Sequence, residues 1–356
     1  MSQEGAEVTV VGSLMMDLVT YVDELPLVGQ TVFGRSFQKT FGGKGANQAV
    51  QCARLGVKCS MVGVVGTDSY GDEYMIQLEK EKLQYEHLRR STTANTGTAS
   101  IQVDKHGQNT IIIVQGSNLD FSADHVNALE DTIRKSNIVL CQNEVPLEVT
   151  KAALLLCRKH NCVSILNPAP ASDNMLEMLP LCDIFCPNET ELAALSGLPA
   201  TTDDEIKIAA EQLLLLGCKI VIVTLGARGA LLVKEDLCHL FPTVMKVKAI
   251  DTVGAGDSFL GSLAANLARN VPLETAIPRA IVCASLSVTN KGAQASYPAL
   301  ADLRVLEERI WDEDDEGENN TVSAAADSQA QRVFSPPALS DDEVIDKELI
   351  RQTLGI

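Results

Sequence analysis

Short unbroken apolar runs alternate along the chain with stretches whose apolar residues recur every three or four positions. "EVTVVGS" (7–13) reads as a buried strand ending in a glycine turn, and "CSMVGVVG" (59–66), "SNIVLCQNE" (136–144), "CVSILNPAP" (162–170), "CDIFCPNE" (182–189) and "KIVIVTLG" (219–226) read the same way. Between them the spacing predicts helices over Lys44–Leu55, Tyr70–Lys82, Ala123–Lys135, Glu148–Lys159, Glu189–Ser196 and Asp204–Leu216. Strand–helix alternation of this kind implies right-handed crossovers and a mostly parallel sheet with helices on its faces. Two stretches break the rhythm. Residues 18–41 and about 88–115 alternate as antiparallel strands do, with "DKHGQN" as a hairpin turn, and are expected to form a small β lid outside the main sheet.

Composition sharpens this picture without changing it. Hydrophobic residues make up 46 % of the 356 and aromatics only 4 %, so the core must rest on Val, Ile, Leu and Ala, as in an α/β fold. The formal net charge is −18, and half of it falls after Ile310, where twelve acidic residues face three basic ones. Residues 311–356 therefore read as an acidic, disordered tail, with a short amphipathic helix conceivable near Asp341–Leu354, and 1–310 as the folded domain. No long basic stripe marks the body, so neither nucleic acid nor an anionic membrane is an expected partner. The ten cysteines are scattered, with no CxxC pair, which argues against a zinc site or a disulfide framework. With no signal-peptide layout and no apolar run near the roughly 20 residues that span a bilayer, the expected setting is cytoplasmic, nuclear presence left open.

Three clusters carry candidate chemistry. In "AIDTVGAGDSF" the residues Gly254, Ala255 and Gly256 open a helix start directly before Asp257. Peptide N–H groups at such a start bind anions and suit the charge on a phosphoryl group in flight. An aspartate there can accept the proton of an attacking hydroxyl, although a simple capping role is equally open. "FGGKGANQ" repeats the device with Gly42, Gly43 and Gly45 around Lys44 and Asn47; it is not a Walker loop, since Gly45 follows Lys44. In "GSLMMD", Asp17 follows the first strand, where the ligand crevice of an open α/β sheet lies. Glu144 and the pair Asn188 and Glu191 stand at similar strand ends. A dinucleotide-binding fingerprint is missing after the first strand, which disfavours a nicotinamide dehydrogenase.

"GGKGAN", "NPAP", "PNETE", "TLGARG" and "DTVGAGDSF", in this order from about Val8 to Leu306, resemble the PfkB-type carbohydrate kinases, specifically the ribokinase group. The resemblance implies an α/β, ribokinase-like three-layer sandwich with a mostly parallel central sheet, and a β lid that often makes a dimer contact. It implies ATP-dependent phosphorylation of D-ribose at O5, with Mg²⁺ arriving with ATP and K⁺ as activator. Asp257 would be the base, with Gly254, Ala255, Gly256 and Asp257 forming the anion hole. Met15, Met16, Asp17, Gly43, Lys44, Gly45, Ala46, Asn47 and Glu144 would face the sugar. ATP would meet Asn188, Thr224, Leu225, Gly226, Ala227, Arg228, Gly229, Gly256 and Asp257, with Asn188 and Glu191 organising Mg²⁺ through water. K⁺ would lie among Asp251, Val253, Ser287, Asn290, Gly292 and Ser296. Many ribokinases carry an asparagine where this chain has Met15, which leaves deoxyribose, fructose or a nucleoside as alternative acceptors. A non-catalytic sugar-binding scaffold is the remaining alternative, disfavoured by the intact Asp257 and glycine turn.

Overall fold

The computed structural model describes residues 7–306; the acidic segment 311–356 and its conceivable helix lie outside the described residues. Strand β1 (Val8–Val11) leads into β2 (Met15–Tyr21) and β3 (Ser36–Gly42), and then into helix α1 (Lys44–Arg54). There follow β4 (Cys59–Val62), β5 (Val64–Gly66), α2 (Ser69–Lys80), β6 (Arg89–Ser91), β7 (Gly97–Val103) and β8 (Asn109–Val114). The central part comprises α3 (Ala123–Asn127), α4 (Glu130–Lys135), β9 (Ile138–Cys141), α5 (Leu147–His160), β10 (Val163–Leu166), β11 (Ile184–Phe185), α6 (Glu189–Ser196) and α7 (Asp203–Leu215). The last elements are β12 (Ile220–Thr224), β13 (Ala230–Lys234), β14 (Leu237–Phe241), α8 (Ala255–Ala268) and α9 (Leu273–Ser287).

The main sheet has the order β14-β13-β12-β11-β10-β9-β1-β4, parallel from β12 to β4. Period-two alternation divides its strands between two cores. Val8, Val10, Ile138, Leu140 and Ile222 pack beneath α1, α8 and α9, whereas Val11, Val139, Cys141, Val221 and Val223 face α5, α6 and α7. Helices on both faces of one sheet make the expected three layers. The cysteines serve as small core residues: all ten are free thiols, and only Cys238 is exposed.

Several expectations need correction. The run 59–66 is two strands, because at Gly63 the backbone passes Gly12 and Leu14 so closely that a Cβ would stand 2.7 Å from Gly12 O. Beyond that point β5 leaves the sheet to pair with β6. The stretch Ala123–Lys135 breaks at Ala128 and Leu129 into α3 and α4, with Glu130 and Asp131 opening the second helix. Ahead of α8 the amides of Ile250 and Asp251 donate to Val288 O, at 2.7 and 3.2 Å, at the end of α9. The antiparallel hairpin β13–β14 on the sheet edge was not anticipated.

The lid is a four-stranded sheet, β3-β2-β7-β8. Its outer pairs are antiparallel as expected, but the central pair β2–β7 is parallel, with Met15 opposite Gly97 and Tyr21 opposite Val103. The hairpin falls where the turn chemistry puts it: Asp104 Oδ1 accepts from the amides of His106 (2.8 Å) and Gln108 (2.9 Å), and Gly107 takes φ +80°. Because β2 begins at Met15, the lid extends further than residues 18–41. Asp17 is a lid-strand residue and not part of the turn after β1. No helix among the described residues is long and apolar enough to cross a membrane.

Candidate active site

Two glycine-cornered helix starts meet beneath the lid. At the first, Gly43 adopts φ +86°, where a side chain would stand 2.8 Å from Met15 N and 3.0 Å from Ser13 O. Gly45 lets α1 approach the end of β1, since a Cβ there would stand 2.6 Å from Ser13 N. The start of α1 is fastened from outside its own sequence: Glu144 Oε2 accepts from Lys44 N (2.9 Å) and from Ser13 Oγ (2.5 Å). Ser13 O in turn accepts from Ala46 N (3.0 Å). Glu144 thus caps a helix as well as facing the cleft. Asn118 pins the intervening turn, exchanging hydrogen bonds of 3.0 and 2.9 Å with the Leu14 N–H and C=O.

At the second, Gly254 takes φ +77° as the residue preceding α8. The Ala255 amide turns back to Thr252 O (3.3 Å), whereas the amides of Gly254, Gly256 and Asp257 have no hydrogen-bond partner among the described residues. A Cβ at Gly256 would meet nothing within 4 Å, so that side of the turn is open. Asp257 does not cap the helix. Its carboxylate is buried and crosses to α1, where Oδ2 accepts from Asn47 Nδ2 and Oδ1 from Gln48 Nε2, both at 3.0 Å. A carboxylate offers about four lone-pair positions, so about two remain for a ligand.

Charge gathers here from five separate segments. Burial, reinforced by the negative charges of Glu144 and Asp257 and opposed by Lys44, pushes the Asp17 carboxyl up to about 7. The Lys44 ammonium is raised, mainly by Asp257, against its own burial. Glu144 and Glu191 are raised by burial, with Lys44 partly offsetting the effect in each. One ammonium therefore lies within electrostatic reach of four carboxyl groups, those of Asp17, Glu144, Glu191 and Asp257.

The Asp17 shift has a sign that can be tested. The folded protein holds this proton up to about pH 7, while an unfolded aspartate releases it near 3.8. Its stabilising contribution is therefore full below 3.8 and is lost as pH rises through 7. Asp17→Asn is expected to match the parent in denaturant unfolding at low pH and to exceed it at pH 8; equal pH dependence of the two proteins would contradict the assigned environment.

Alternation along β2 puts Met15 and Asp17 on one face, and Gly42, opposite Met15, leaves room for the Asp17 carboxylate that a Cβ would overlap. Met16 points the other way into the core, and Ala46 is buried there as well, so the structure does not present these two side chains to the cleft. On the far side, Asn188 and Glu191 form a reciprocal cap of α6: Asn188 Oδ1 accepts from Glu191 N (2.8 Å) and Glu191 Oε2 from Asn188 N (2.9 Å). Asn188 bridges to Thr224, which brings "PNETE" against "TLGARG". In that turn Gly226 and Gly229 take φ +55° and +102°, Leu225 is in the core, Ala227 is exposed, and Arg228 pairs with Glu189 and Asp203.

Asp251 ties two loops together, accepting from Val253 N (3.1 Å) and Gly292 N (2.8 Å). The hydroxyls of Ser287 and Ser296 donate to the carbonyls of Ala284 (2.8 Å) and Ala293 (2.9 Å), and Asn290 donates to Thr289 Oγ1 (3.2 Å). No group of three His, Cys, Asp or Glu that could hold a metal occurs among the described residues, so a cation in this region would depend largely on backbone carbonyls.

Sequence reasoning missed Gln48, Gln142, Asn167, Gln294 and Tyr74. Gln294 Nε2 donates to Asn47 Oδ1 and to Tyr74 Oη, both at 3.1 Å, and Tyr74 donates to Gly42 O (2.5 Å). Gln48 had a local signal in its position beside Asn47 in the first turns of α1, and Asn167 in its place in "NPAP".

A lid-covered crevice with free amides, a buried carboxylate and a lysine is the layout of a small-molecule phosphotransferase. The chain belongs to the pfkB family of carbohydrate kinases, whose family model matches residues 6–300. It is similar to the mouse ribokinase, 41 % identical over 306 residues that cover 85 % of this chain and 94 % of that one. It is also similar to the deoxyribokinase of Salmonella typhi, 36 % identical over 83 % and 96 % of the two chains. Among solved structures, Arabidopsis thaliana ribokinase complexed with ribose and ATP superposes with a TM-score of 0.78 at 30 % identity, covering 85 % of this chain and 98 % of that one.

Proposed function

We propose that this chain transfers the γ-phosphoryl group of ATP to O5 of D-ribose, giving D-ribose 5-phosphate and ADP. The observation that carries this reading is the buried Asp257 carboxylate, held beside three unpaired amides at the start of α8. As the O5 oxygen bonds to the γ-phosphorus and the bond to the ADP oxygen breaks, the hydroxyl proton passes to Asp257. The amides of Gly254, Gly256 and Asp257 receive charge on the phosphoryl oxygens. Asp17, when ionised, accepts from two sugar hydroxyls, and Lys44 and Asn47 orient the ring.

Hard oxygen donors at Asn188 and Glu191 fit a Mg²⁺ carried by ATP and held through water; the ion would neutralise charge on the β- and γ-phosphates. Carbonyls around Asp251, Val253 and Gly292 fit K⁺ in the same sense, beside the turn at the start of α8. The edge strand β8 exposes Ile111, Ile112, Ile113 and Val114 in succession, and Phe37 on β3 is exposed too. A second copy of this chain covering the lid accounts for that apolar edge, since uncovered strands of this kind aggregate.

A second acceptor is supported by Met15. It shares a face with Asp17 and lies against Gly97, where a Cβ would stand 3.2 Å from its Cγ, and its side chain has no hydrogen-bond donor. A 2-deoxypentose, with one hydroxyl fewer to satisfy, therefore fits as well. In an ADP-release assay across pentoses, hexoses and nucleosides, ribose and deoxyribose are expected to be the efficient acceptors, and exchanging K⁺ for Na⁺ to lower turnover. Preference for a nucleoside or hexose would overturn the acceptor assignment, and indifference to the ion would overturn the cation site.

A further inference from the structure

A chain of buried amides runs behind Asp257. Gln48 Nε2 donates to Asp257 Oδ1 (3.0 Å) and reaches Asn167 Oδ1 (3.4 Å). Gln48 Oε1 accepts from Gln142 Nε2 (2.7 Å), and Asn167 Nδ2 donates to Cys186 O (3.0 Å). Gln48 and Gln142 are wholly buried and Asn167 nearly so. These residues come from α1 and from the segments just after β9, β10 and β11, so they tie the carboxylate to the carboxyl edge of the parallel sheet.

The chemistry of the groups fixes the direction of the chain. An ionised carboxylate only accepts, so Gln48 must present its NH₂ to Asp257 and its carbonyl to Gln142. Turning that amide over would set oxygen against oxygen at Asp257 and NH₂ against NH₂ at Gln142. The Gln142 carbonyl has no hydrogen-bond partner although it is buried, an arrangement that costs stability on its own. A side chain kept in that condition fits a role in orientation more readily than one in packing.

We infer that Gln48, locked from behind by Gln142 and Asn167, is a positioning residue for proton transfer: with Asn47 it holds one lone pair on each Asp257 oxygen and aims the others at the acceptor hydroxyl. This rests on the reading of Asp257 as the base. Two carboxylate orientations that are interchangeable in a free side chain become one.

The test is the pH profile of turnover. Gln48→Met keeps length and removes the donor; a carboxylate that loses a hydrogen-bond donor is protonated more readily, so the acidic limb of kcat moves to higher pH. The limb is read at saturating ribose, because Asp17, Lys44, Glu144 and Glu191 also act on Asp257 and the Asp17 carboxyl, raised to about 7, enters kcat/KM through sugar binding. At neutral pH kcat falls about tenfold while the sugar KM changes less than about threefold. Gln48→Glu puts a second carboxyl beside Asp257, the two share a proton, and the limb moves further in the same direction. Should the Gln48 variants fail to fold, Gln142→Met frees the same amide from one residue further away and is expected to shift the limb less, with the same sign. An unmoved acidic limb in the folded variants, alongside an inactive Asp257→Asn, overturns this inference and leaves the base assignment standing. An active Asp257→Asn overturns the base assignment itself.

Discussion

Asp257→Asn is expected to lower kcat by about 10²- to 10⁴-fold, the range that positioned general bases contribute, while the protein still folds and binds ribose. The substitution keeps the shape and burial of the side chain but removes its proton acceptor. One end of the new amide is a donor that meets Asn47 Nδ2 or Gln48 Nε2, which now donate to the two carboxylate oxygens. One neighbour must therefore turn, at a cost of about 1–3 kcal/mol in stability. Single-turnover kinetics separate the chemical step from binding and product release. A turnover within about threefold of the parent, in a protein with parental ribose affinity, would remove Asp257 from the mechanism.

Gly254→Ala is expected to damage stability and turnover together. The backbone here has φ +77°, a conformation costing a side-chain-bearing residue about 1–3 kcal/mol. The new methyl would also stand 2.7 Å from Ala293 Cβ and closer still to the Tyr297 hydroxyl, an overpacking cost of about 1–3 kcal/mol more. Relief requires the first turn of α8 to move, and with it the free amides; a misplacement of about 1 Å can cost about 10²-fold in rate. Gly256→Ala is the contrast, because its Cβ would enter open space. It should lose turnover through the ligand side with little change in denaturant midpoint. Parental activity and stability in Gly254→Ala would show that the turn does not need the geometry described.

The two helix starts were legible because glycine is needed there for a reason that acts locally, the positive φ at Gly43 and Gly254. The cap formed by Asn188 and Glu191 is local too, which is why "PNETE" marked a helix start correctly. Asp17 was harder. "GSLMMD" reads as a turn after a strand, and the alternation that reveals a lid strand is hidden, since Met15 and Met16 are both buried although they lie on opposite faces of β2. The parallel pairing of β2 with β7 joins segments about eighty residues apart and has no local signature. Gln142 and Asn167 stand 94 and 119 residues from Gln48, and amide side chains leave no periodic trace in a sequence. The sequence therefore pointed to Asp257 and to Asn47, one of its two holders, while giving no sign that Gln142 stands behind the other.

A crystal structure with ribose, ADP and a planar phosphoryl mimic is expected to place the ribose O5 within about 3 Å of an Asp257 oxygen, and the mimic's equatorial atoms against the amides of Gly256 and Asp257. Ribose bound with O5 beyond reach of that carboxylate, or a mimic seated away from the start of α8, would contradict that geometry.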